Sequence, residues 1–163
     1  IKRMELFGLE LSKEKTRILP FGRNCGTRET FDFLGFTHYN SKTRKGYYTI
    51  GHKISRKKKK QFKSNLKKWV KENRNKQFDE FMKKLNKKLT GSFNYYSLSG
   101  MIREVRSLWI HSLYVTFKWL NRRSQRRSFK LERFYEIWND RIIHPYIHVD
   151  IWSGDKVIYI KNV

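Results

Sequence analysis

The sequence predicts an α+β chain, mainly helical, in which a short N-terminal β-hairpin region precedes a bundle of three to four helices. Three observations carry this. Past Gly51 the apolar period changes from two to about 3.6 residues, the switch from strand to helix patterning. Beyond that point apolar stripes recur in long segments whose other faces are charged. Aromatic residues make up 16% of the chain, which separates it from disordered tails despite a net charge of +24 over 163 residues.

The first third reads as short strands and turns. Residues 16–21 are a strand candidate closed by Pro20 and Gly22, and residues 24–28 are loop by composition. Residues 30–39 alternate, with Phe31, Phe33, Gly35 and Tyr39 on one parity, which predicts one strand. A polar turn at 40–45 joins it to a further strand at 46–50, giving a hairpin with an aromatic face.

The helical part begins at Ser55, a candidate N-cap, followed by the stripe Phe62, Leu66, Trp69 and Val70. A second helix from about Gln77 places Phe78, Phe81, Met82, Leu85 and Leu89 on its apolar side, with Gly91 as its expected stop. A third, expected to be the longest and the central packing helix, runs from a candidate cap at Ser99 to about Asn121. Its stripe is Ile102, Val105, Leu108, Trp109, Leu113, Thr116, Phe117 and Leu120. Phe129, Leu131, Phe134, Tyr135 and Trp138 predict a fourth helix ending near His144-Pro145, because proline disfavours the helical conformation in the residue before it. The tail carries two short β-like runs around Ser153-Gly154-Asp155.

Charge narrows the function. With 38 Lys+Arg against 14 Asp+Glu and a pI near 10.3, the chain repels itself and suits a polyanionic partner, RNA or DNA. Cys25 is alone, so neither an internal disulfide framework nor a cysteine zinc site can form, and a reducing compartment is expected. His144 and His148 are four apart, yet Pro145 breaks the helical alignment a metal site would need, and no metal is expected. No apolar run approaches the ~20 residues of a membrane span, and the N-terminus lacks the pattern of a secretory signal. A cytoplasmic chain with no membrane partner is the expectation.

Two basic features stand out. The run Asn121-Arg122-Arg123-Ser124-Gln125-Arg126-Arg127-Ser128 places four guanidinium groups between two amphipathic segments. Their planar, permanently charged forks match phosphates and base edges bidentately, so Arg122, Arg123, Arg126 and Arg127 are candidate nucleic-acid contacts. Lys57, Lys58, Lys59, Lys60, Lys63 and Lys67 crowd the first long helix. A solvated face is the ordinary reading of such a run, but its density favours phosphate contact, which supplies strength without sequence selectivity. Tyr95 and Tyr96, expected at a corner between helices, are candidates for stacking on splayed bases or for ordinary packing, one in and one out. Glu132 and Glu136 beside Arg133 read as ion-pairing residues.

Four stretches, in order, resemble the group II intron reverse transcriptases, also called intron-encoded maturases. Gly8-Leu9-Glu10-Leu11-Ser12-Lys13-Glu14-Lys15-Thr16 resembles their late palm motif, and Phe31-Asp32-Phe33-Leu34-Gly35-Phe36 the hairpin that acts as primer grip. Leu89-Thr90-Gly91-Ser92-Phe93-Asn94-Tyr95-Tyr96 is similar to the tyrosine motif of the thumb, or domain X. The arginine run from Leu120 to Phe129 is similar to the thumb's distal arginine motif. Ser92 and Leu131 depart from the larger residues usual in relatives.

The resemblance implies a palm end at residues 1–52, a thumb at 53–143 and a tail of unknown role at 144–163. It implies primer-grip positions at Phe33, Leu34, Gly35 and Phe36, and a Lys15 near the incoming nucleotide. It also implies binding of structured intron RNA in support of splicing, and of RNA/DNA primer-template duplex when a catalytic palm is present. Polymerases of this family hold two metals on palm aspartates that include an Asp-Asp pair, and this chain contains no Asp-Asp pair. No catalytic residue is therefore assigned, and Mg2+ is expected only with an intact palm. The alternatives are the C-terminal part of a split or truncated RNA-directed DNA polymerase, active only with a palm-containing partner chain, a general basic nucleic-acid-binding module, or a decayed fragment.

Overall fold

A computed structural model describes residues 2–10, 12, 14, 16, 18–23, 25, 28–123 and 128–146. The chain is α+β and mainly helical. Helix α1 (Lys2–Glu5) is followed by β1 (Thr30–Phe33), β2 (Phe36–Lys42) and β3 (Tyr48–Ile54), then α2 (Arg56–Asn73), α3 (Phe78–Tyr96), α4 (Ile102–Leu120) and α5 (Leu131–Arg141). The strands form one antiparallel sheet in the order β1-β2-β3. The chain divides into two compact units, Ile1–Phe31 with His38–Gly51, and Asp32–Thr37 with His52–Val163.

The first unit is held by aromatic contacts and turn hydrogen bonds. Phe31 packs edge-on against Phe21 and stacks on His38, both at 4.9 Å between centroids. The β2–β3 loop closes through the Thr43 and Tyr47 backbones, with the Tyr47 N–H also donating to the Thr43 hydroxyl. Gly51 lies under the Tyr39 ring, where a Cβ would approach to 2.4 Å of Cζ, so only glycine fits there.

The buried hydrophobic cluster lies wholly in the second unit. Leu66 and Val70 of α2, Phe81, Met82, Leu85, Leu89 and Phe93 of α3, Val105, Leu108, Leu113 and Leu120 of α4, and Phe134 and Trp138 of α5 are its main members. Helix α4 packs against both α2 and α5 and is the central element. The side chains of Ser112 and Thr116 are buried on it, and the Ser112 hydroxyl is satisfied by the Leu108 carbonyl at 2.7 Å. Ser55 caps α2, its hydroxyl accepting from the Lys58 N–H.

Five expectations are corrected. Residues 30–39 are two strands and a tight turn, because Leu34 (φ 49°) and Gly35 (φ 83°) both take positive φ and reverse the chain within an unbroken alternation. Leu34 lacks the turn chemistry of Asn or Asp, so the alternation hides a reversal that only the resemblance to the primer-grip hairpin points to, and its conformation costs about 1–2 kcal/mol. The described residues of 16–21 carry no strand, and a helical turn at Lys2–Glu5 was not anticipated. Gly91 does not stop α3, which runs on to Tyr96. Interior glycine costs about 0.5–1 kcal/mol, whereas burying Phe93 and Tyr96 one and two turns beyond Leu89 returns about 1.5–3 kcal/mol each. With that extension α3 equals α4 in length, at 19 residues each. Ser99 does not cap α4; Gly100 at φ 82° turns the chain and Met101 occupies the cap position. Helix α5 ends at Arg141, one turn before Pro145. The β-like runs of the tail fall outside the described residues.

Candidate nucleic-acid interface

Helical geometry sorts the lysines of α2. Leu66 and Val70 face the core, which turns Lys57, Lys60, Lys67, Lys68 and Lys71 together toward solvent at successive i, i+3 and i+4 spacings. Lys58 is exposed at the edge of that face and its aliphatic stem lies over Gly35, where a Cβ would sit 3.3 Å from Lys58 Cγ. Lys59 and Lys63 are half-buried on the side turned toward α4. Lys59 Nζ pairs with the Glu104 carboxylate at 2.6 Å, and Lys63 faces His111. Burial, with the Lys63 charge second, holds the His111 imidazole below its ordinary value of 6.5. Four of the six candidate lysines thus form no ion pair among the described residues, while two belong to the α2–α4 seam.

The two tyrosines at the end of α3 divide. Tyr96 is buried, and burial pushes its phenol up. Tyr95 is half-exposed, yet its ring stacks on Phe36 at 5.6 Å and its hydroxyl donates to the Leu34 carbonyl at 2.5 Å. That bond, the Ser55 N–H to Gly35 carbonyl bond at 2.9 Å and the Thr37 hydroxyl to Asp32 carboxylate bond fix the turn that carries Phe33 and Leu34. Phe36 is buried between the tyrosines, whereas Phe33 and Leu34 are 60% and 68% exposed at the tip. Of the four primer-grip-like positions, two are presented and two are scaffold.

The arginine run leaves the C-terminal end of α4. Asn121 clasps its base: its amide donates to the Phe129 carbonyl at 3.0 Å and its side-chain carbonyl accepts the Phe129 N–H at 2.9 Å. Phe129 itself is anchored against Phe78 and Phe134. The residues that flank the run, Asn121 and Phe129, are thereby tied to each other and, through Phe129, to the aromatic core. Arg122 is exposed and its guanidinium lies over the Trp119 ring at 5.4 Å. Arg123 is half-buried and its guanidinium donates to the carbonyls of Leu120 and Arg74 at the C-terminal ends of α4 and α2. Arg126 and Arg127 fall outside the described residues, as does Lys15.

Arg74, Trp119 and Asn121 take part in this corner without having been singled out from the sequence. A basic residue closing α2 and an Asn opening the arginine run were the available signals, because both suit helix C-termini. Among the described residues no group of three His, Cys, Asp or Glu could hold a metal, and no helix is long and apolar enough to cross a membrane. Glu136 pairs with Arg133 at 2.7 Å.

Comparison with curated proteins and with solved structures gives no significant match. The family model described as "Group II intron, maturase-specific domain" matches residues 59–136, from the lysine-rich helix to α5. The helical part of this chain is thereby similar, over residues 59–136, to the maturase-specific domain of group II introns.

Proposed function

We propose that the chain binds structured group II intron RNA directly, as the thumb-like part of a maturase. The role in group II intron splicing follows from the family, whose domain is maturase-specific and not catalytic. The observation that carries direct binding is the clasp of Asn121 on Phe129, which ties together the two residues flanking the arginine run, in a unit that also exposes lysines along α2. Exposed lysines supply attraction along any phosphate backbone, and forked guanidiniums on a pinned loop supply contacts that depend on the shape of the RNA. Site residues of this proposal are Lys57, Lys58, Lys60 and Lys67, with Arg122, Arg126 and Arg127.

The fixed turn supports a second part of the reading. Phe33 and Leu34 form an exposed apolar tip suited to lying against sugars of an RNA/DNA duplex, so the same chain grips primer-template when a palm-containing partner supplies the Mg2+ site. Alone it does not polymerise, and its place of action is the cytoplasm.

The test is competition binding of a structured intron RNA against a length-matched scrambled RNA. With about six phosphates neutralised, log affinity falls against log salt with a slope of roughly −4 to −5. Changing Arg122, Arg123, Arg126 and Arg127 together to Lys keeps the charge and removes the forks, and is expected to abolish most discrimination while keeping nonspecific affinity. A salt-independent affinity, or a lysine variant that discriminates as well as the parent, sinks the proposal.

A further inference from the structure

The C-terminal ends of α2 and α4 meet in a cluster that joins Lys71 of the lysine face and Arg122 and Arg123 of the arginine run to Arg74 and Trp119. The Trp119 indole carries three cationic groups over its ring: the Arg74 guanidinium at 5.3 Å from the centroid, the Arg122 guanidinium at 5.4 Å and Lys71 Nζ at 5.8 Å. Arg123 stands beside them, its guanidinium tied to the carbonyls of Leu120 at 3.4 Å and Arg74 at 3.2 Å. Arg74 in turn reaches the Arg122 carbonyl at 3.5 Å. Four positive charges are thus gathered in one place. Among the described residues none of the four forms an ion pair with a carboxylate.

Like charges so close repel one another, and two devices hold them. The ring quadrupole attracts cations to the indole. The negative ends of two helices, whose last carbonyls accept from Arg74 and Arg123, attract them to the corner. Neither device neutralises the charge, and both fix the positions of the groups before any ligand arrives, which lowers the ordering cost of binding. The site therefore favours a compact anion with several acceptor oxygens. It disfavours a stacked base, because the groups gathered over the ring occupy the approach to it.

We propose that this corner, Lys71, Arg74, Trp119 and Arg122 with Arg123 as a positioning residue, is a preorganised phosphate site whose occupant is a phosphodiester of bound RNA. It rests on the reading that the helical unit binds RNA, and it adds Lys71, Arg74 and Trp119 to the residues that do so. Trp119 acts in it as a holder of cations.

Trp119 itself reports occupancy. The full chain and its Trp119→Phe variant are titrated at fixed ionic strength while tryptophan emission is followed, and the difference between the two curves isolates Trp119. The ligands are a short oligoribonucleotide, the same oligomer with abasic riboses, tripolyphosphate and a glutamate-rich peptide. The expected result is a saturable Trp119 signal with both oligomers at affinities within about twofold, a weaker saturation with tripolyphosphate and none with the peptide. Arg74→Gln should remove the signal and make the salt slope of RNA binding shallower by about 0.7, one phosphate's share, while Arg74→Lys restores the slope. Equal thermal melts of the variants separate these effects from misfolding.

RNA binding at parental strength with an unresponsive Trp119 overturns this site and leaves the RNA reading standing. A signal that needs the bases overturns it in favour of a stacking platform, and an equal response to the peptide overturns it in favour of an acidic protein partner. A chain that binds no RNA while Trp119 answers to tripolyphosphate overturns the RNA occupant and the RNA reading together.

Discussion

The lysine face of α2 and the corner where α2 and α4 end carry similar charge in opposite ways. On the face, Lys57, Lys60, Lys67 and Lys68 are exposed and form no ion pair among the described residues. At the corner, Arg123 is bound by two carbonyls and three other cations are gathered over Trp119. The first arrangement supplies charge without geometry and the second supplies both. Long mobile lysines can follow any phosphate backbone, whereas anchored guanidiniums answer only to phosphates in particular places. Under the proposed RNA-binding reading, strength and selectivity fall to neighbouring parts of one helical unit.

Phe134→Ala should break the corner most severely. Phe134 is fully buried and supports both Phe129 and Phe117, so its loss is expected to cost about 3–5 kcal/mol. Urea unfolding measures the cost, and a change below about 1 kcal/mol would mean that α5 does not hold the loop.

Asn121→Ala tests the clasp alone. Two hydrogen bonds to Phe129 disappear, a loss of about 1–2 kcal/mol. Discrimination for structured RNA should fall toward parity while the salt slope stays where it was, since no charge is removed. Unaltered discrimination in the competition assay would show that the loop needs no pinning.

The lysines should split by position. Changing Lys57, Lys60 and Lys67 together to Gln is expected to make the salt slope shallower by about 2 with no change in melting temperature. Lys59→Gln should do the reverse: it leaves Glu104 without its partner, lowers stability by up to about 1 kcal/mol, and scarcely moves the slope. If Lys59→Gln flattens the slope as strongly as a face lysine, the sorting by helical face is wrong.

The smallest effect is a pH dependence at the seam between α2 and α4. The folded chain holds the His111 imidazole below 6.5 through burial and Lys63, so the unfolded chain binds more protons just below that pH. The stability due to neutral His111 is complete above about pH 6.5 and is lost as the pH falls toward the depressed folded value. Urea midpoints at pH 7.5 and 5.5 should differ in that direction, and Lys63→Gln should shrink the difference. A midpoint that rises on acidification would reverse the sign of the argument.

Much of the helical unit was legible because amphipathic periodicity is a local property. The stripes of α2 and α4 were correct because each apolar residue had to find the same buried side whatever lay opposite, whereas in α5 Phe134 and Trp138 are buried but Leu131 and Tyr135, expected on the same stripe, are exposed. The burial of one tyrosine and the exposure of the other also matched. Failures came where a distant contact outweighed a local preference. Gly91 reads as a stop by propensity, yet the burial of Phe93 and Tyr96 carries α3 through it. Leu34 reads as strand by alternation, yet three hydrogen bonds from Tyr95, Ser55 and Thr37 hold the turn in which it sits.

The sequence by itself determined the fold class, the excess of positive charge, the motifs that resemble a maturase thumb and the residue types able to grip phosphate. All of these depend on composition and short-range spacing. Only the tertiary structure decided which cations are free and which are anchored. Lys59 was spent on Glu104 because α4 packs against α2, and Arg74, Trp119 and Arg122 came together because two helices more than 40 residues apart in the chain end side by side. That partition is a matter of which side chains meet, and meeting is set by the packing of whole helices, which no local pattern contains.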